Sequence, residues 1–372
     1  MVIKNAYVYH ENSEFVTGDI GIHNDIIVEE CPPEDQAIDA SGLYAIPGLT
    51  DLHFHGCVGY DFCDGTHKAL EKMALYQADN GITTICPATM TLEEEVLAGI
   101  LESAAAYDGN EGAILCGINM EGPYLSAKKK GAQNGSFLRK PDIRMFRRLQ
   151  KISGNQIKLV AIAPEEEGAM EFISELKDEV VISIAHTAAD YDTAMEAFRN
   201  GAKQVTHLYN AMLPFTHRAP GVIGAACDTT GCFIELIADG VHIHPSTIRA
   251  TFKMFGDDRI ILISDSMTAA GMPDGEYFLG GQSVRVEGKT AALTSDGTLA
   301  GSVTNLMDCM RNCVLNIGIP LEKAVKCAAV NPAKAIGIYD LYGSITPGKI
   351  ANIVLLDKEL NIKSVILKGK VL

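Results

Sequence analysis

Two histidines stand one residue apart, His53 and His55, in the stretch PGLTDLHFHG. If that stretch is extended, side-chain alternation puts both imidazoles on one face of a strand, where two ring nitrogens can bind a single ion. Such a pair is weak evidence by itself. His242 and His244 form another in DGVHIHP, and an isolated histidine in an apolar run is more often a hydrogen-bonded core or surface residue. Four further residues shift the balance: Glu121 in NMEGP, His186 in SIAHT, His207 in VTHLYN and Asp265 in LISDS. Each closes a short apolar run, as His53 and His55 do. Imidazole nitrogens together with carboxylate oxygens are the ligand set of zinc, iron and similar divalent transition ions. An ion so held polarises a carbonyl and makes water acidic enough to attack it.

These residues converge only if the chain folds so that distant runs end at one place. Short runs with β-branched enrichment occur at 45–56, 81–89, 113–123, 157–165, 179–187, 202–211, 232–242 and 259–267. Helix-period segments separate most of them, among them THKALEKMALYQADNG and DYDTAMEAFRNG, the second opened by Asp190 and closed by Gly201. Strands that are apolar throughout are buried on both faces, as in a parallel sheet covered by helices. Eight strand–helix repeats point to an α/β fold of the (β/α)8 type, a TIM-like barrel. An open doubly wound sheet also uses parallel strands, but usually fewer of them. In a barrel the C-terminal strand ends meet at one mouth, so His53, His55, Glu121, His186, His207 and Asp265 become neighbours.

Other material frames the barrel. The β-rich, glycine-turned segments at the two ends are expected to pair into a small β-sandwich lobe, with residues 1–48 and 341–372 flanking a barrel over 49–340. Residues 271–301 read as a hairpin inserted after the eighth strand. The chain shows no internal repeat beyond the strand–helix period and no low-complexity tract.

Composition narrows the function classes. A length of 372 residues suits one large domain with a smaller lobe, and 47% hydrophobic with 21% charged residues is ordinary for a globular protein. A formal charge of −16 disfavours nucleic acid as a partner, although local cations can still hold a small anionic substrate. No apolar run approaches the roughly 18–20 residues of a membrane span. The opening MVIKNAYVYHENSEF lacks the charge and apolar pattern of a signal peptide. The ten cysteines are scattered without a CxxC pair, which fits reduced thiols in the cytoplasm better than a disulfide framework.

The same residues carry a family resemblance. PGLTDLHFHG resembles the first-strand motif of the amidohydrolase superfamily, and LISDS carries that superfamily's aspartate after the eighth strand. More narrowly, NMEGPYLSAKKKGAQN, HLYNAMLPFTHRAPG and DGVHIHP resemble the N-acetylglucosamine-6-phosphate deacetylases, over nearly the whole chain. Many superfamily relatives bridge two metals with a carboxylated lysine from the fourth strand. Here IKLVAIAPE ends without one, and Glu121 on the third strand can serve as the bridge, which argues against dihydroorotase-like readings.

The resemblance implies that Glu121, His186 and His207 hold one divalent transition ion, zinc or iron, and that His53, His55, Asp265 and the shared Glu121 hold a second. One or two ions per chain are compatible with it. The implied reaction is hydrolysis of the acetamide of N-acetylglucosamine 6-phosphate to glucosamine 6-phosphate and acetate. Asp265 takes the proton of the attacking water and returns it to the departing amine. Arg218 and His242 would bind the phosphate, helped by Asn210 and the backbone at Ala211, while Ala132, Leu299, Ala300 and Gly301 match segments that touch the sugar. Arg218 would reach in from a neighbouring subunit, which implies a homodimer. Relatives often have histidine where this chain has Gln133, and an amide cannot supply a full charge or titrate near neutrality. The run Lys128–Lys130 reads as a solvated face and gives no ground for a role.

Two rival readings stand beside this one. Another amidohydrolase, a deaminase or cyclic amidase, would use the same metals on a different substrate, against which EGP and HLYNAM weigh. A non-catalytic barrel serving as an assembly module would have no reason to keep all six ligands.

Overall fold

The computed structural model describes residues 1–30, 36–109 and 111–372. Its centre is a ring of parallel strands, in order Leu49–Asp51, Ile82–Ile85, Ile118–Met120, Ile157–Ile162, Val181–Ile184, Gln204–Val205, Phe233–Ile237 and Ile260–Ile263. The third strand comes in two pieces. Ile114–Leu115 pairs with the second strand and Ile118–Met120 with the fourth, and a bridge between Ala88 and Asn119 carries the ring across the break. The first and last strands join at a seam, where Asp265 N–H donates to His53 O at 2.8 Å and His55 N–H donates to Ser266 O at 2.7 Å. All eight expected runs are therefore barrel strands, shorter than the apolar stretches that announce them.

Burial follows pattern. All four residues of Ile82–Ile85 and of Ile260–Ile263 are buried, as strands with helices outside and side chains inside must be. The interior is partly polar beneath the mouth, and its groups satisfy one another: Thr50 Oγ1 lies 2.6 Å from Thr84 Oγ1, and Ser183 Oγ lies 2.6 Å from Thr206 Oγ1. The helix Tyr191–Asn200 shows the local logic. Asp190 accepts from Thr193 N–H at its start, Ala194, Ala197 and Phe198 face inward, and Gly201 ends it at φ 127°. His67–Asp79 is likewise capped by Thr66.

The two ends of the chain share one mixed eight-stranded sheet. Ile353–Leu356 lies antiparallel to Tyr44–Pro47, which pairs with Val2–Tyr9, and Ile3, Ile20, Ile22, Ile353, Leu355 and Ile366 form a separate apolar core there. Only Gly48 separates that sheet from the first barrel strand. A Cβ at Gly48 would lie 2.2 Å from Thr83 Oγ1, so glycine allows the lobe to sit directly on the strand that leads to His53. The segment after the eighth strand is a three-stranded antiparallel meander, Gly275–Leu279, Gln282–Glu287 and Thr290–Leu293, one strand more than a hairpin. The third strand forms because Ala291 and Leu293 complete an apolar cluster with Leu279, Val284, Val286, Met90 and Met267. Among the described residues no helix is long and apolar enough to cross a membrane, and all nine cysteines are free.

Candidate metal centre

The six strand-end residues come together. The ligand atoms of His53, His55 and Asp265 lie within 4.8 Å of one another, as do those of Glu121, His186 and His207, and all six residues are buried. His186, His207 and Asp265 have φ of 43°, 28° and 48°. That left-handed turn costs a non-glycine residue about 1–3 kcal/mol, and here it swings each side chain inward as the chain leaves its strand. A Cβ on Gly301 (φ 66°) would meet Asp265 O at 3.0 Å, so that position also needs glycine.

Glu121 stands between the two groups. Its Oε1 is 3.1 Å from Nε2 of both His186 and His207 and 3.4 Å from His53 Nε2, and its Oε2 is 3.3 Å from His55 Nε2. Asp265 Oδ1 lies 3.4 Å from His55 Nε2 and 3.7 Å from His53 Nε2. His186 and His207 face each other through Nε2 at 3.1 Å. The proton inventory favours an ion. His53 Nδ1 lies 3.0 Å from Glu235 Oε2 and His186 Nδ1 3.0 Å from Lys129 O, both acceptors, so each ring carries its hydrogen there and turns a lone pair inward. His53 Nε2 has no hydrogen-bond partner. Buried lone pairs converging on carboxylates are the donor set of a divalent transition ion.

Electrostatics agree. Burial opposes a charged imidazole at His53, yet Glu121, Glu235 and Asp265 together hold its pKa well above the ordinary value. His55 is pushed up to about 9, against burial, by Asp265 and Glu121. Burial likewise opposes ionisation of Glu121 and Asp265, but the histidines beside them, His53 foremost by charge, keep both carboxyls below their usual range. A field that favours protons on these rings favours a divalent cation more strongly. Beneath them Asp51 accepts from Ser264 Oγ at 2.5 Å, and burial raises it to about 7.

Above the centre is a cavity of about 400 Å³, lined by His55, Glu121, His186, His207 and Asp265 together with Ala132, Gln133, Asn210, Ala211, His242, Leu299 and Gly301. Ala300 is buried beside this wall. Arg218 is not part of the wall: it sits on an exposed loop with Nη1 2.6 Å from His217 Nε2. His242 is braced by Asp239, whose Oδ2 lies 2.7 Å from its Nδ1. His244 belongs elsewhere, because its Nδ1 accepts from Ser246 N–H at the start of the helix Pro245–Phe255. Gln133 bridges the centre to its surroundings, donating to Glu121 Oε2 and accepting from Thr91 N–H, both at 2.7 Å.

Some residues around the centre do not announce themselves in sequence. Lys128 and Lys129 reach the cavity, although a run of lysines is ordinarily surface. Glu235 and Asp239 fall in or just after an apolar strand, and a charged residue in so buried a run was the available signal. Gln282 reaches from the meander to donate to Ala132 O, tying the insertion to the loop over the centre.

Comparison with known proteins agrees with this geometry. The model of the amidohydrolase family matches residues 44–372. The chain is 38% identical to the N-acetylglucosamine-6-phosphate deacetylase of Bacillus subtilis, over 100% of this chain and 96% of the relative. The crystal structure of N-acetylglucosamine-6-phosphate deacetylase from Pasteurella multocida superimposes with a TM-score of 0.94 at 30% identity, covering 100% of this chain and 99% of that one. A mutant of the Mycobacterium smegmatis deacetylase in complex with N-acetyl-D-glucosamine-6-phosphate gives 0.93 at 31% identity, covering 100% and 98%.

Proposed function

This chain belongs to the amidohydrolase family, and from that premise we propose that it is a metal-dependent deacetylase that converts N-acetylglucosamine 6-phosphate to glucosamine 6-phosphate and acetate. One observation carries the reading: two buried ligand groups share Glu121 at the floor of a cavity of sugar-phosphate size. Glu121, His186 and His207 would hold one ion, and His53, His55 and Asp265, with Glu121 shared, the second, zinc or iron by donor chemistry.

An acetamide is a poor electrophile and water a poor nucleophile; a divalent ion supplies both remedies by polarising the carbonyl and acidifying water. Asp265 does the proton work. Its carboxyl lines the cavity beside the other ligands, and a divalent ion held there would keep it ionised. It accepts the proton of the attacking water and returns it to the departing amine nitrogen as the C–N bond breaks. Gln133 holds Glu121 from the side, leaving that carboxylate able to face both groups. His242 would contact the phosphate, with Asn210 and the Ala211 backbone beside it. Ala132, Leu299, Ala300 and Gly301 would pack on the sugar.

Arg218 would complete the phosphate site of a neighbouring subunit, because its planar, permanently charged fork suits phosphate and it is absent from the wall of its own cavity. That makes the functional unit a homodimer. The free thiols fit a cytoplasmic enzyme.

The test is acetate release from N-acetylglucosamine 6-phosphate, its unphosphorylated form and its C4 epimer, before and after metal removal. Activity should follow metal content and favour the phosphorylated glucose-configured sugar. Equal turnover with and without the phosphate, or full activity after chelation, would refute the reading.

A further inference from the structure

Glu235 sits in the middle of the seventh barrel strand, Phe233–Ile237, with no exposed surface. A carboxylate there is costly unless its oxygens are paired. Its partners are specific. Oε2 faces His53 Nδ1 at 3.0 Å and accepts the backbone N–H of His207 at 3.2 Å. Oε1 accepts from the Gln204 amide at 2.6 Å, while the amide oxygen of Gln204 has no partner. One side chain therefore grips the ring of a residue in one ligand group and the backbone of a residue in the other, from beneath the centre and outside the cavity wall.

We propose that Glu235 is the positioning residue of this centre: it fixes His53 with its hydrogen on Nδ1 and its Nε2 lone pair directed at Glu121 and Asp265, and so sets the affinity of the His53–His55–Asp265 group for its ion. The proposal rests on the reading of the six residues as a metal centre. A neutral imidazole has two tautomers, and only the one with a bare Nε2 can ligate here. His53 depends on Glu235 for that choice. His186 takes its tautomer from the Lys129 carbonyl instead, and the Nδ1 atoms of His55 and His207 have no hydrogen-bond partner. Glu235 is thus the carboxylate that orients a ligand ring while lying outside both groups. A carboxylate partner also makes His53 a more basic ligand than a backbone carbonyl would.

Glu235→Gln isolates the charge. The amide oxygen can still accept from His53 and His207, while its NH₂ is met by the oxygen of Gln204 once that amide flips, so the barrel keeps its contacts. Zinc dissociation constants for both sites would be measured by competition with a chromophoric chelator, in wild type, E235Q, H53N and the double variant, alongside thermal unfolding. The zinc of the His53 group should bind about 10–100-fold more weakly in E235Q, the range for losing such a partner. The other zinc should be weakened clearly less, because Glu235 touches that group only through the backbone N–H of His207. On the H53N background E235Q should cause no further loss. Unchanged affinity at both sites, equal weakening at both, or an additive loss with H53N would each overturn the proposal. Wild-type protein that takes up no zinc, iron or manganese would overturn the metal reading beneath it, a separate outcome.

Discussion

Replacing Asp239 by Asn should make the enzyme's preference for a phosphorylated sugar depend on pH. Asp239 Oδ2 lies 2.7 Å from His242 Nδ1, and its Oδ1 accepts the backbone N–H groups of Val241 and His242, each at 2.9 Å. Burial disfavours a charged imidazole at His242, but the hydrogen bond and charge of Asp239, with the field of Asp265, outweigh it and raise the pKa. His242 therefore stays a cation to higher pH than an ordinary imidazole, and would meet a phosphate in that form. Asparagine keeps the size and the loop hydrogen bonds but not the charge, so burial is left to lower the pKa of His242. The charge-assisted contact, about 1.5–3 kcal/mol, then becomes a neutral one of about 0.5–1.5 kcal/mol. The difference of about 1–1.5 kcal/mol is roughly a 5–13-fold fall in kcat/KM at a pH where wild-type His242 is still charged and the variant's is not. The sign follows from which form binds. The raised pKa keeps the cation to higher pH in wild type, whereas the variant loses it at lower pH; toward acid both become charged and their ratio approaches one. The assay is kcat/KM for both proteins from acid to mildly alkaline pH, taken as a ratio so that shared titrations cancel. A ratio that is flat, widens toward acid, or is the same for the unphosphorylated sugar would refute the reasoning.

Asp265→Asn should leave the fold and much of the metal affinity in place while kcat falls by about 10²–10⁴-fold, the usual contribution of a general base; stopped assays with metal analysis check it, and a variant within threefold of wild type would show that another group moves the proton. Arg218→Ala should lower kcat/KM for the phosphorylated sugar by roughly 10–150-fold, the value of a charge-assisted contact, and spare the unphosphorylated one. Mixing Arg218→Ala with Asp265→Asn chains should restore activity in heterodimers, because one site then has both an intact base and an intact arginine; no recovery on mixing would place Arg218 outside the neighbouring site.

Much of this arrangement is legible in the sequence because burial and chemistry pull in opposite directions at the strand ends. Isoleucine-rich runs such as 260–263 mark strands, and a polar residue directly after such a run has to be explained by something at the mouth. That logic finds His186, His207 and Asp265 as well as Glu121. It overstates strand length, since Gln204–Val205 is two residues inside a ten-residue run; apolar burial continues into the turn where pairing stops. It also misses Glu235, because a strand interior looks the same whether its polar residue faces a histidine or a void. Lys128 and Lys129 are hidden for another reason: a lysine's sequence neighbours say nothing about which wall a long side chain will reach. The third strand of the meander needed the packing of Leu293 on Val284 and Met267, a tertiary fact.

The seam between the first and eighth strands bears on how the protein is made. His53, His55 and Asp265 lie on either side of that join, which Asp265 N–H and His53 O hold together. Glu121, His186 and His207 come from strands between them and are complete earlier in synthesis. A growing chain thus owns every residue of one ligand group while its ring is still open, whereas the other group is completed only by closing it. An ion held by that group would be seated in the same event that closes the ring, and its binding energy would stabilise the join. Metal starvation should accordingly be felt as an opening at this one edge, ahead of any loss elsewhere in the barrel.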